Sequence, residues 1–204
     1  GSQWSINNGE LIFTNNKEKK QDLVTEQEFE NFELSIEWNI SKGGNSGIFY
    51  GVKEFAELDE AFKSGPEIQV LDNENFYTAT KLHRSPSLYD LVGPDKNNVR
   101  VNPHGEWNHL LLKIDHKKNL GTVVMNGHFA FSYPLSGPEW DKLVSKSKFR
   151  YKDYYVNRGT NKEFLAFGSF KSGKIGLQDH GSNVKFRNIK TVSYTHLRAH
   201  ETRP

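Results

Sequence analysis

Cysteine is absent from the 204 residues. That excludes disulfides, thiolate zinc sites and cysteine nucleophiles. It leaves the compartment open, because exported and cytoplasmic proteins alike can lack cysteine. Excess charge is also missing: 27 Lys and Arg face 25 Asp and Glu, a net +2. A nucleic-acid-binding domain usually shows a strong basic excess, so no nucleic-acid partner is expected. No apolar run approaches the 18 or so residues of a membrane helix, so no transmembrane segment is expected. Hydrophobic residues are sparse at 35%, yet aromatics reach 13% and are spread along the chain. Disordered chains are depleted in aromatics, so a buried core is expected. The first residues are Gly1-Ser2 with no Met, and no leader can be read from them.

What is present is alternation. Phe32, Leu34, Ile36, Trp38 and Ile40 interleave with Glu33, Ser35, Glu37 and Asn39, the period of a strand with one buried face. Further strands are predicted at 10–14, 22–25, 46–52, 107–115, 120–125, 128–133, 174–178 and 184–192. Asn126-Gly127 between two of them is a strong hairpin signal. Helix signals are few. The best spans Pro138 to Ser147, with Pro138 in the first turn, Glu139 and Asp141 early, and Lys146 and Lys148 late. A second short turn is predicted over Phe55 to Lys63. Many short strands and little helix indicate an antiparallel sandwich or barrel. Two long irregular stretches, Asn73 to Pro86 and Phe149 to Ser169, read as binding loops, lids or disorder.

Four motifs could carry chemistry. In Gly65-Pro66-Glu67-Ile68-Gln69-Val70-Leu71-Asp72, a strand would project Glu67 and Gln69 from one face, with Asp72 at its end. Paired acidic groups on a polar sheet face suit glycoside chemistry, which needs a proton donor and a base or nucleophile. In Gly176-Leu177-Gln178-Asp179-His180, Gln178 and His180 share a face, and a strand-end histidine can titrate near neutrality. His83, Arg84, Tyr89 and Asp90 gather an imidazole, a guanidinium, a phenol and a carboxylate within eight residues, the planar polar groups that sugar sites use. Gly43-Gly44-Asn45-Ser46-Gly47-Ile48-Phe49-Tyr50 permits close backbone approach but lacks the Lys of a phosphate loop. From Ser193 to Pro204 the alternation stops. His196 and His200 sit four apart without an acidic third ligand, so this stretch reads as a disordered or foreign tail and the domain as residues 1–192.

The ordered series Trp4-Ser5-Ile6, Phe32-Glu33-Leu34, Gly44 to Tyr50, Gly65 to Asp72, Leu88-Tyr89-Asp90, Gly105-Glu106-Trp107-Asn108, Asn126-Gly127, Gly173 to Gly181 and Phe186-Arg187-Asn188-Ile189 resembles the 3-keto-disaccharide hydrolase family from Trp4 to Val192. The resemblance implies an all-β, concanavalin A-like jelly-roll sandwich of two antiparallel sheets, here lacking its first strand. It also implies a periplasmic or outer-surface location. Laminarinase-like glucanases of that fold carry Glu-x-Asp-x-x-Glu. Glu67-x-Gln69-x-x-Asp72 keeps the spacing but replaces the central Asp with Gln, which disfavours ordinary retaining hydrolysis.

The resemblance implies an enzyme acting on 3-keto-glycosides, with an oxidised disaccharide or glycoside as its carbohydrate partner. A C3 ketone acidifies the C2 proton; a base removes it, the enolate expels the C1 substituent, and water adds back. Glu67, Asp72 and His180 are the catalytic candidates. Asn45, Tyr50, Gln69, His83, Arg84, Tyr89, Asp90 and Gln178 are the candidates for holding the sugar. No cofactor is required by this scheme, although a divalent metal at the enolate oxygen is left open. Two alternatives are a lectin-like binding module and a conventional endoglucanase.

Overall fold

The computed structural model describes residues 3–16, 21–54, 60–77, 80–94, 99–150 and 167–194. Among the described residues the strands are β1 (Trp4–Asn7), β2 (Glu10–Phe13), β3 (Leu23–Phe29), β4 (Phe32–Ile40), β5 (Asn45–Val52), β6 (Glu67–Leu71), β7 (Asn108–Asp115), β8 (Leu120–Met125), β9 (His128–Tyr133), β10 (Gly173–Leu177) and β11 (Val184–Ser193), with one α-helix, α1 (Pro138–Val144), after β9. They form a seven-stranded sheet of order β1-β2-β11-β4-β7-β8-β9 and a four-stranded sheet of order β3-β10-β5-β6, with every strand pairing antiparallel. The architecture is the expected all-β sandwich.

The alternation in β4 is expressed as strict burial of Phe32, Leu34, Ile36, Trp38 and Ile40. In register beside them lie Leu110, Leu112 and Ile114 of β7. From the other sheet Ile48, Tyr50, Ile68, Val70, Ile175 and Leu177 join the same core. The hairpin between β8 and β9 turns on Asn126 and Gly127, both at positive φ (50° and 79°), a conformation that Asn-Gly supplies at little cost.

The helix is shorter than predicted. It stops at Val144, and Lys146 and Lys148 lie beyond its end. β1 was not predicted: it has four residues, and its Ile6 is 79% exposed, so no buried face marks it. β11 continues through Ser193. Ser193 pairs with Phe32, and the Tyr194 hydroxyl donates to the Ile114 carbonyl at 2.7 Å. The rest of the tail, most of the predicted Phe149 to Ser169 loop and the start of the Phe55 to Lys63 turn lie outside the described residues; Ala61–Lys63 forms a 3-10 turn.

Candidate active site

Register fixes which side chains of the four-stranded sheet face away from the core. Ile68 and Val70 point inward, so Glu67, Gln69 and Leu71 point outward. Opposite them on β5 stand Phe49, Gly47 and Asn45. On β10, Gly176 pairs with Phe49, and the Gln178 amide donates to the Gly47 carbonyl at 2.9 Å. Beyond the free edge of β6, Leu88 bridges to Ile68; the Tyr89 N–H donates to the Glu67 carbonyl and the Gln69 N–H to the Ser87 carbonyl, each at 2.9 Å. Two outward rows result. One runs Val24, Gly176, Phe49, Glu67, Tyr89; the other runs Gln178, Gly47, Gln69, Ser87, with Asp22 at its far end through the bond from the Asp179 N–H to Asp22 Oδ1.

Gly47 explains where the Glu67 carboxyl goes. A Cβ at Gly47 would lie 2.2 Å from Glu67 Oε1 and 2.6 Å from its Cδ. The carboxyl therefore occupies the place of the missing side chain, between Gln69 and Gln178. Gln69 Nε2 donates to Asn45 Oδ1 at 2.7 Å. Gln178 Oε1 is buried and accepts no hydrogen bond among the described residues, which leaves an acceptor open beside the acid.

Glu67 is 6% exposed. Burial pushes its carboxyl up to about 8; the Lys148 ammonium opposes that shift and the Asp22 carboxylate reinforces it. Burial likewise raises Asp22 and lowers Lys148, whose charge Glu67 and Asp90 favour. A carboxyl held near neutrality on a polar sheet face can take or give a proton at working pH.

The wall of the site is built by 80–90 and 146–150. His83 stacks on Tyr89, with ring centroids 4.7 Å apart and planes 16° from parallel. Lys148 Nζ sits 4.2 Å from the Tyr89 ring centroid on a cation–π contact. Asp90, at φ +60°, accepts from the Lys148 N–H at 2.6 Å and contacts His83 Nε2 at 2.8 Å with its other oxygen. Sequence reading missed Lys148 and Asp22. Lys148 looked like a helix-end charge, and Asp22 merely opened a short strand.

Four candidates take other places. Tyr50 is not on the outward face: it points into the core toward Tyr133 of the opposite sheet, and burial holds its phenol well above the ordinary range. The cause of the misreading is that β5 is buried on both faces, so no alternation marks its direction. Asp72 is a turn-forming carboxylate. Burial would raise it, but four hydrogen bonds, from the N–H groups of Gly43, Glu74 and Asn75 and from Asn75 Nδ2, hold it below the usual range. It is committed to closing the 43–75 corner and is poorly suited to exchange a proton. Arg84 is turned to the loop, donating to the Asn73 carbonyl at 3.1 Å. His180 lies past the end of β10 and is exposed. Among the described residues, no group of three or more His, Asp or Glu is placed to hold a metal.

An acid and amides on one outward sheet face, walled by a tyrosine and a lysine, suit the acid–base chemistry of carbohydrate-active enzymes. Comparison with known proteins narrows this. The chain belongs to the 3-keto-alpha-glucoside-1,2-lyase-like domain family, whose profile matches residues 1–191. It is 36% identical to the 3-keto-disaccharide hydrolase of Bacteroides thetaiotaomicron, over 93% of this chain and 69% of that protein. The family and this relative make it an enzyme of the glycoside hydrolase type. Two crystal structures from Parabacteroides distasonis with provisional glycosyl hydrolase designations share the fold. One has a TM-score of 0.80 at 24% identity, covering 95% of this chain and 85% of that one; the other has 0.66 at 24%, covering 94% and 90%. The carbohydrate-binding module CBM66 from Bacillus subtilis follows at 0.54 and 10% identity, covering 95% and 92%.

Proposed function

We propose that this protein cleaves 3-keto-disaccharides by elimination across C1 and C2, followed by hydration, with Glu67 as the acid–base group. The carrying observation is the Glu67 carboxyl itself, buried over Gly47 between two amides and raised to about 8. In this reading Glu67 takes the C2 proton, and the electron pair left behind forms an enolate to C3. The enolate returns to the ketone as the C1–O bond breaks. The proton held by Glu67 then passes to the departing oxygen, which regenerates the carboxylate. Gln69, Asn45 and the open acceptor Gln178 Oε1 hold sugar hydroxyls, and Tyr89 offers its ring to the sugar face. An exported location accompanies this reading, to be checked by cell fractionation of the native source.

The test is incubation of a 3-keto-disaccharide and its unoxidised parent in D2O, following reducing-sugar release and deuterium at C2. The expected result is turnover of the ketone alone, with deuterium incorporated. Equal cleavage of both sugars without deuterium would put a conventional glycosidase in its place, and binding without turnover a lectin-like module. Because only the ionised carboxyl acts as base, kcat/KM should climb as pH rises towards about 8.

A further inference from the structure

Elimination leaves negative charge on the C3 oxygen, and something must receive it. Lys148 is placed for that. Its backbone N–H is pinned by Asp90 Oδ2 at 2.6 Å, which fixes where the side chain starts. Its Nζ rests over aromatic rings, 4.2 Å from the centroid of Tyr89 and 5.1 Å from that of Phe149. Tyr89 stands directly across from Glu67 in register, and the ammonium over its ring is near enough to favour the charged form of the Glu67 carboxyl. The two charges feel each other, yet among the described residues no direct ion pair joins them. An ammonium carries three N–H donors, and aromatic faces satisfy none of them as an oxygen would.

We propose that Lys148 is the group that takes the ketone oxygen of the substrate and carries its charge as the C2 proton leaves, with Asp90 as the positioning residue that sets the lysine over Tyr89. The proposal rests on the elimination reading above. In the step, the C2–H bond breaks towards Glu67 and a C2=C3 double bond forms. The C3 oxygen becomes anionic and accepts a hydrogen bond from Nζ, and no proton need leave the lysine. The same contact selects substrate, since an alcohol at C3 offers less negative charge to the ammonium than a ketone moving towards its enolate.

The probe is 1,5-anhydro-3-keto-glucitol, which keeps the ketone and has no exocyclic leaving group at C1, compared with 1,5-anhydroglucitol. Two quantities are read: relative affinity by titration calorimetry or ligand-observed NMR, and C2 hydrogen–deuterium exchange in D2O. Wild type should prefer the ketone by roughly ten-fold or more, the range of one hydrogen bond to a charged group. Lys148→Met should erase that preference and slow exchange at least ~10²-fold, while Lys148→Arg retains part of both. Asp90→Asn should lower exchange with the preference only weakened. Urea midpoints and circular dichroism confirm that each variant is folded. A folded Lys148→Met protein that keeps both the preference and the exchange rate overturns the proposal. So does a wild type with no preference. Glu67→Gln separates this from the reading beneath it: if exchange survives that change, Glu67 is not the base, whereas the ketone preference still reports on Lys148.

Discussion

Replacing Glu67 with Gln tests the buried acid through stability, without any substrate. The unfolded carboxyl ionises near 4.5 and the folded one near 8, because burial disfavours the charged form. Below 4.5 both states hold the proton and Glu67 adds no pH dependence. Between the two values the folded state binds more protons than the unfolded state, so stability falls as pH rises, and above about 8 the loss is complete. At about 1.36 kcal/mol per pH unit, the span from 4.5 to about 8 sets a ceiling on the order of 5 kcal/mol. Local relaxation and water entry reduce such penalties, so a relative loss of at least ~2 kcal/mol is expected. Glutamine fills the same space and does not titrate. The assay is urea unfolding of both proteins at pH 5, 6, 7 and 8. Asp22, also raised by burial, contributes to both and largely cancels in the difference. Wild type should lose ground steadily to Glu67→Gln across this range. Parallel stability curves would show that the carboxyl titrates as in water and would remove the physical basis for its role.

Gly47→Ala should leave the fold intact, since the clashing atom is the end of a flexible side chain, but should displace the carboxyl and lower kcat about 10²-fold by steady-state assay. Asp72→Asn should cost about 1–3 kcal/mol in urea unfolding, because an amide cannot accept all four of its hydrogen bonds. Trp38→Ala should cost about 3–5 kcal/mol, and a loss under about 1 kcal/mol would contradict its place in the core.

The sequence was most informative where one face of a strand is dry and the other wet. β4 could be read residue by residue, and the same parity placed Glu67, Gln69 and Gln178 on one outward face. β3 was read too short, because Glu26, Gln27 and Glu28 are exposed and carry no pattern. Tyr50 was misdirected for the opposite reason, a strand buried on both sides. Lys148 could not be found from its neighbours. Tertiary packing alone brings it onto Tyr89 and within electrostatic reach of Glu67, and its local signal was that of an ordinary cation after a helix. Asp72 matched a glucanase spacing, but spacing does not reveal that its oxygens are already committed to the backbone of a turn.

The segment Ser87–Tyr89 that runs along β6 has a consequence outside chemistry. β6 ends the four-stranded sheet, and an uncovered last strand offers its N–H and C=O groups to any other chain. Here Ser87 and Tyr89 occupy those groups, and Tyr89 is at the same time part of the wall of the candidate site. A mutation that loosens this short segment would therefore do two kinds of harm at once, dulling catalysis and leaving a sticky border for self-association. Losses of activity and of solubility should travel together among variants at 85–91, whereas elsewhere on the rim they should be separable.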